Sequence, residues 1–181
     1  SIILLGDINN YVDKYEILRN ATWINPQNCE LLDSYVKRLY ELRKEKGMTI
    51  EEARRLLTTD YMYFACMLLL DKKADGIVSG ACHSSSNTLR PALQLIKGPE
   101  GFVSSFFLME TDKTDLGENG LFIFADCGLN QNPNSNELAI IGKQAINTFE
   151  ELIGKTPRVA YLSHSTYGSS KHEMINKVTQ A

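Results

Sequence analysis

Residues 76–91 read Gly-Ile-Val-Ser-Gly-Ala-Cys-His-Ser-Ser-Ser-Asn-Thr-Leu-Arg-Pro. The apolar residues 76–78 predict a short strand, small and polar residues follow, and Leu89, Leu93 and Ile96 lie at helical spacing. Strand, loop and helix in this order are typical of α/β folds, in which ligands bind in loops beyond the carboxyl ends of parallel strands. This stretch therefore decides the predicted fold class and shows where to look for a site.

The rest of the chain repeats the alternation. Apolar or β-forming runs predict further strands at residues 2–5, 22–24, 102–109, 121–124 and 159–162. Helical spacing and capping residues predict helices at 29–46, 49–57, 60–70 and 134–154, and another from about residue 171. The predicted fold class is α/β, with mostly parallel sheets flanked by helices and an antiparallel hairpin over residues 102–124.

Two features of the chain concern its domain organisation. Lys97-Gly98-Pro99 separates two core-forming blocks, which predicts two α/β lobes at residues 1–97 and 98–181. The chain opens without Met inside a predicted strand and closes inside a predicted helix. We therefore expect it to be a piece of a longer protein in which both lobes are incomplete.

The composition narrows the class of protein. The 181 residues are 43% hydrophobic, and the formal net charge of −3 does not favour nucleic-acid binding, which usually needs a concentrated basic surface. No run approaches the roughly 18 apolar residues of a membrane helix, and the N-terminus does not resemble a secretory signal. The four cysteines are widely spaced without a C-x-x-C pair, so we expect reduced thiols in a cytoplasmic protein.

Three loops after predicted strands are rich in small and polar residues: 79–91, 125–133 and 163–170. In the first and the third, small residues allow close approach of a ligand, and the following helix N-terminus offers free N–H groups to an anion. Arg90 opposes the helix dipole in the first turn of its helix, which a bound phosphate would explain. The competing interpretation is structural, because Ser and Asn are common helix caps and turn residues.

Other candidate groups are weaker. Cys82 beside His83 could be a thiol and its base, but sequence neighbours usually point apart, so a covalent Cys mechanism is not favoured. For His83 and His164 a ligand role and a structural role stay equally open. Three histidines without ligand spacing do not predict a metal site. The basic residues 37–46 predict, from chemistry alone, a solvated helix face.

Together, the loops carry a family resemblance. Residues 74–84 and 88–94 resemble the signature of phosphate acetyltransferases, and further blocks agree in a fixed order over essentially the whole chain. These blocks are residues 42–49, 106–110, 124–127, 130–133, 137–141, 157–160 and 162–169. The chain departs from the family's frequent Thr-Ala-Asp at Ser85-Ser86-Asn87 and from its frequent Lys at Tyr167.

The resemblance implies an enzyme of acetate metabolism that moves acetyl reversibly between acetyl phosphate and coenzyme A, with acetyl-CoA and phosphate as the products of the forward direction. In this family the coenzyme A thiolate attacks directly, without an acyl-enzyme and without a permanently bound cofactor. The resemblance also implies two α/β lobes around a cleft, a fold like that of isocitrate and isopropylmalate dehydrogenases, and a homodimer. The alternatives are a phosphate butyryltransferase and a non-catalytic acyl-CoA-sensing module such as that fused to some malic enzymes.

The resemblance also assigns roles to residues. Arg90 matches an arginine that binds substrate and acts in catalysis, and Arg43 matches one that meets a coenzyme A phosphate. The loops around 79–88 and 163–169 would face each other across the cleft, and the implied substrate-binding residues are Ser79, Gly80, His83, Ser84, Thr88, Arg90, Asn132, Ser163, Ser165, Thr166, Gly168 and Ser169. The family's general-base Asp, with a neighbouring Ser and Arg, would lie beyond residue 181, so these 181 residues alone are expected to be inactive.

Overall fold

The structure, a computed structural model of the chain, describes residues 1–7, 11, 14–96, 98, 101–165 and 172–181. The contacts between Cα atoms divide the chain into two compact units, Ser1–Lys97 and Gly98–Ala181. The first is built mainly from helices beside one pair of strands, and the second from a hairpin and two helices.

The strands of the first unit are β1 (Ile3–Leu5) and β2 (Thr22–Ile24), as their apolar runs predict. They pair in parallel, with Ile3 opposite Thr22 and Leu5 opposite Ile24. A parallel pair needs a long crossover, which here contains a short 3₁₀ helix at Glu16–Asn20.

The four helices that follow are α1 (Leu32–Arg43, extended by a 3₁₀ turn at Lys44–Lys46), α2 (Ile50–Thr59), α3 (Tyr61–Leu70) and α4 (Ser85–Leu95). Helical spacing predicts α1 and α4, and capping residues predict α2 and α3. The Thr49 side chain accepts the Glu52 N–H at 3.2 Å and so caps α2. Asp60 caps α3 by accepting the Met62 N–H at 3.0 Å. Each cap satisfies a backbone donor that the first turn leaves free.

The core of the first unit centres on α3. Its residues Phe64 and Met67 are completely buried, together with Leu39 of α1 and Leu57 of α2. Burial of each such side chain contributes about 1.5–3 kcal/mol. Helix α3 is apolar around most of its circumference, so the other helices can pack on several of its sides. It thereby sets the positions of α2 and α4.

Helix α4 contains a proline in its interior. Pro91 is completely buried and lies in the middle of the helix, where it has no N–H to donate to the preceding turn. The helix is packed against α3, and Gln94 accepts a hydrogen bond from the Tyr63 hydroxyl at 2.8 Å. These contacts fix the face of α4 that carries Arg90.

The second unit begins with the predicted hairpin. Strands β3 (Phe106–Glu110) and β4 (Leu121–Ala125) pair antiparallel, with Phe106 opposite Ala125 and Glu110 opposite Leu121. Gly117 and Gly120 in the connection have positive φ angles of 58° and 88°. A Cβ atom at Gly120 would lie 2.3 Å from the Thr111 carbonyl oxygen, so only glycine fits there.

Two helices complete the second unit, α5 (Ser135–Ile153) and α6 (Glu173–Gln180). Asn134 and Glu137 form the predicted capping box at the start of α5, and Gly154 ends the helix in the left-handed conformation. Helix α5 packs against both β4 and α6, and Ile141 and Ile175 are buried. Among the described residues, no helix is both long and apolar enough to span a bilayer.

Two predicted strands are wrong. Residues 76–78 and 159–162, all of them described, pair with no neighbouring strand. Val78 is fully exposed and Leu162 is 87% exposed. An apolar run makes a strand only where another strand accepts its hydrogen bonds, and the described residues supply none here. The expected predominance of parallel pairing is likewise not found within the described part of the chain, where one strand pair is parallel and one is antiparallel.

Candidate functional site

The loop before α4 presents small exposed residues, as the sequence predicts. Residues 79–84 are exposed, and Gly80 has a φ of 119°, which favours glycine. Ser84 caps α4 by accepting the Asn87 N–H at 3.2 Å, and its carbonyl accepts the Thr88 N–H and hydroxyl. The Thr88 hydroxyl is therefore donated inside the helix, whereas the N–H groups of the first turn at Ser85 and Ser86 have no helical acceptor.

Arg90 lies one turn further along α4. Its Nη2 donates to the Ser86 hydroxyl at 3.4 Å, and no carboxylate of the described residues forms an ion pair with it. The prediction that Arg90 lies in the first turn and opposes the helix dipole is wrong, because α4 begins at Ser85 and Arg90 is exposed in the second turn. The Arg90 guanidinium thus retains donors for an external anion.

A cavity of about 330 Å³ lies beside Arg90 within the first unit. Its lining combines two guanidinium groups, one carboxylate, an amide, a phenol and apolar atoms. The lining residues are Arg55, Leu56, Thr59, Asp60, Tyr63, Asn87, Arg90 and Pro91. They come from α2, α3 and α4, which meet through the core described above.

Tyr63 connects the cavity to Arg43. Burial raises the pKa of Tyr63, the charge of Asp60 adds to this, and the positive charges of Arg43 and Arg90 act in the opposite direction. Both arginines are therefore close enough to influence the same phenol. Arg90 lines the cavity together with Tyr63, whereas Arg43 is not part of that lining.

Arg43 differs from the other cations at the end of α1. Its Nε is buried and has no hydrogen-bond acceptor among the described residues, whereas the exposed Lys44 pairs with Glu41 at 2.6 Å. Leaving a charged donor buried without an acceptor costs at least about 1–3 kcal/mol. The prediction of a solvated helix face, made from chemistry alone, is therefore wrong at Arg43.

The loop after β4 is organised by Asp126. Its carboxylate accepts hydrogen bonds from the Ser105 hydroxyl and N–H, the Asn130 amide, and the backbone N–H groups of Gly128 and Leu129 at 2.9 Å. Burial alone would raise the pKa of Asp126, but these hydrogen bonds outweigh it and hold the pKa well below its usual range. The loop is thus held by an ionised carboxylate with several donors.

Asn132, a predicted substrate-binding residue, is held from α6. Lys177 Nζ donates to Asn132 Oδ1 at 2.7 Å and to the Pro133 carbonyl oxygen at 3.0 Å. This leaves the Asn132 amide nitrogen to donate elsewhere. Lys177 therefore orients the Asn132 side chain so that its amide nitrogen is the atom available to donate.

The third predicted loop is described only at its start. Ser163, His164 and Ser165 are described, and the Ser165 N–H donates to the Ser163 hydroxyl at 3.4 Å. The predicted site residues Thr166, Gly168 and Ser169 lie outside the described residues, as does Tyr167.

The thiols and histidines offer little for covalent or metal chemistry. Burial raises the pKa of the Cys66 thiol to about 11, which keeps it protonated. Cys82 and His83 are both exposed, with no hydrogen bond between them. Within the described ranges, no group of three His, Cys, Asp or Glu side chains is placed to hold a metal ion.

Sequence reasoning missed several groups at these sites. Arg55, Asp60 and Tyr63 line the cavity, yet they lie on helices whose patterns predict only packing. The signal for Asp126 was available, because an Asp two residues before a Gly often accepts that residue's N–H in an Asx turn. Lys177 could not be found, since it meets Asn132 only through tertiary packing.

The fold and these loops define an α/β protein with an arginine-lined cavity, and comparison with known proteins places it in a family. The family model for Phosphate acetyl/butaryl transferase matches residues 1–181. A Phosphate acetyltransferase of Thermoanaerobacterium thermosaccharolyticum is 46% identical over 185 residues, covering 99% of this chain and 56% of the relative. One of Acetivibrio thermocellus is 49% identical over 156 residues, covering 85% of this chain and 47% of the relative.

A solved structure is similar to this chain in both fold and sequence. EutD phosphotransacetylase from Staphylococcus aureus superimposes with a TM-score of 0.82 at 37% identity, covering 98% of this chain and 53% of that one. The chain belongs to the phosphate acetyl/butyryl transferase family. It spans about half the length of the curated relatives it matches.

Proposed function

We propose that the protein containing this chain is a phosphate acetyltransferase, which moves acetyl reversibly between acetyl phosphate and coenzyme A. The observation that carries the proposal is Arg90, a cation in the second turn of α4 that has no carboxylate partner among the described residues and lies beside a cavity. Family membership supplies the reaction class, and relatives of 46% and 49% identity are named for the acetyl reaction.

The reaction asks for stabilisation of negative charge on oxygen. The coenzyme A thiolate attacks the carbonyl carbon of acetyl phosphate, a carbon–sulfur bond forms, and the carbon–oxygen bond to phosphate breaks. Negative charge grows first on the carbonyl oxygen and then on the leaving phosphate. Arg90 and the free N–H groups of Ser85 and Ser86 are donors suited to both, because their positions are fixed before the ligand arrives. No cysteine nucleophile is required.

Arg43 suits a coenzyme A phosphate. Its Nε is a buried donor without an acceptor, and its charge acts on the same Tyr63 as that of Arg90. A phosphate near this guanidinium would offset the cost of its burial. Coenzyme A is thus proposed as a substrate, not as a resident cofactor.

The wider organisation follows from the family. We infer that the two units are parts of two α/β lobes around a cleft, in a fold like that of isocitrate and isopropylmalate dehydrogenases. In it, the residues at 79–88 would face those at 163–169, and Asn132 would donate to the substrate with the amide nitrogen that Lys177 leaves available. The protein is further proposed to be a cytoplasmic homodimer that binds neither membranes nor nucleic acid.

A thioester-formation assay on the complete protein tests this function. With coenzyme A and acetyl phosphate, thioester absorbance should rise, and butyryl phosphate should react more slowly. Faster reaction with butyryl phosphate would make the protein a butyryltransferase instead. No thioester with either substrate, alongside measurable acyl-CoA binding, would indicate a sensing module and overturn the transferase proposal.

A further inference from the structure

We propose that Arg55 is a second cationic contact of the cavity beside Arg90, and that this cavity binds one phosphoryl group of a substrate. The inference rests on the proposed function and names a residue that the family resemblance does not assign. Arg55 and Arg90 come from different helices, α2 and α4, and both line the same cavity.

Arg55 is already oriented by a carboxylate. Its Nε and Nη2 donate to the two oxygens of Glu52 at 2.8 Å and 2.7 Å. This fork leaves Nη1 without an acceptor among the described residues. The pair is exposed on both sides, so it contributes little to stability and can yield to a stronger anion.

Asp60 is the one carboxylate of the lining and could oppose an anion. It caps α3 through the Met62 N–H, and it forms an ion pair with neither Arg55 nor Arg90. The lining itself carries two guanidinium groups and one carboxylate, and Glu52, the carboxylate that pairs with Arg55, lies outside it. Arg90 is the lining cation without an ion-pair partner among the described residues, and an anion that displaces Glu52 would meet both guanidinium groups.

The size of the cavity limits the ligand. A volume of about 330 Å³ lies at the small end of ligand pockets, which suits a small molecule or one group of a larger one. Guanidinium forks match phosphate oxygens, and the Asn87 amide adds further donors. The phosphoryl group can come from acetyl phosphate and inorganic phosphate or from coenzyme A, and kinetics separates these sources.

The chain provides a matched control beside Arg55. Arg54 is its neighbour on α2 and pairs with Asp33, but it is not part of the cavity lining. In the complete protein, Arg55→Gln should raise the KM for one substrate about tenfold with a smaller change in kcat. A higher KM for acetyl phosphate would show that the cavity binds the phosphoryl group of acetyl phosphate. A higher KM for coenzyme A would show that it binds a phosphate of coenzyme A. Arg54→Gln should leave both values unchanged.

Calorimetric binding of inorganic phosphate and pyrophosphate supplies a readout that does not need turnover. Arg55→Gln should weaken the binding of one of these anions about tenfold, and Arg55→Lys should weaken it less. Glu52→Gln should strengthen that binding severalfold, because it removes the carboxylate that competes for Arg55. A purely structural pair would not produce this gain.

The outcomes separate this inference from the proposed function. Anion binding that depends on Arg55, in a protein that forms no thioester, would keep the site and overturn the transferase. Thioester formation with unchanged KM values and unchanged anion binding in Arg55→Gln would overturn the site alone. If Arg55→Gln fails to fold, anion binding is measured in the Glu52→Gln and Arg55→Lys variants instead. Unchanged anion binding in both variants would overturn the inference.

Discussion

The two units of the chain hold their charged groups in opposite ways. In the second unit, the Asp126 carboxylate is surrounded by donors from Ser105, Gly128, Leu129 and Asn130. In the first unit, the side chain of Arg90 has one long hydrogen bond to the described residues, and the buried Nε of Arg43 has no acceptor among them. A satisfied charge maintains a loop, whereas an unsatisfied one is available to a ligand. The comparison therefore separates a charge that holds a loop from charges that are proposed to bind a ligand.

Replacing Arg90 should have the largest effect, and the effect should fall on catalysis. Arg90→Ala in the complete protein should lower kcat about 100- to 1000-fold, or about 3–4 kcal/mol, because it removes a donor to charge that develops in the transition state. Urea unfolding should be almost unchanged. The exposed Arg19→Ala is the control and should keep full activity. Unchanged kinetics in Arg90→Ala would place this arginine outside the site.

Replacing Asp126 should mainly lower stability. Asp126→Asn loses charge-assisted hydrogen bonds, so the free energy of unfolding should fall by about 2–3 kcal/mol in urea denaturation. Amide exchange at Gly128 and Leu129 should accelerate, because their N–H groups would donate to a neutral amide oxygen instead of a carboxylate. The exposed Asp115→Asn should change neither value. Equal stability of the two variants would mean that the hydrogen bonds to Asp126 do not hold the loop.

The same substitution predicts a pH dependence. Because the pKa of Asp126 is lowered in the folded state, its stabilisation is complete above the unfolded-state pKa of about 3.9. It is lost as the pH falls below that value toward the lower folded-state pKa. The difference in unfolding free energy between wild type and Asp126→Asn should therefore be constant near neutral pH and shrink in acid. If the difference in unfolding free energy grew in acid, the pKa of Asp126 would be raised in the folded state and not lowered.

Replacing Arg43 should separate stability from function with opposite signs. Arg43→Met keeps an apolar stem and removes a buried donor that has no acceptor, so the free energy of unfolding should rise by about 1 kcal/mol. The KM for coenzyme A should rise as well. Lys44→Met, beside it but exposed, should alter neither value by a comparable amount. A clear loss of stability in Arg43→Met would show that the arginine holds structure.

Replacing Lys177 should give the smallest effect. Lys177→Met removes the hydrogen bonds to Asn132 and to the Pro133 carbonyl oxygen, and the loss of unfolding free energy should stay below about 1 kcal/mol. Thermal unfolding measures this change, with the exposed Lys155→Met as the reference. A larger loss would mean that the contact between α6 and this loop supports the whole second unit.

Local signals in the sequence predicted the elements well. The capping residues Thr49, Asp60 and Asn134 stand where the structure starts a helix, and the hairpin pairs as expected. These features depend on neighbours a few residues away. The strands predicted at 76–78 and 159–162 failed because a strand depends on a partner elsewhere, which the pattern of its own residues cannot supply.

The candidate site was predictable to a similar extent. Arg90 was selected from the sequence as a cation in the first turn of its helix, but α4 begins at Ser85 and Arg90 lies in the second turn. The burial of Arg43 Nε and the position of Arg55 on the cavity depend on how α1, α2 and α4 pack around α3. No periodicity encodes that packing, so chemistry alone interpreted Arg43 as part of a solvated helix face and did not select Arg55.

Pro91 lowers the conformational entropy of the backbone next to Arg90. A proline ring holds its backbone φ near −65°, so the turn that carries Arg90 samples fewer conformations in the unfolded chain and little more than one when folded. Burial of the ring within α4 strengthens this restriction. The backbone below Arg90 therefore loses little freedom when an anion binds, and more of the interaction energy remains as affinity.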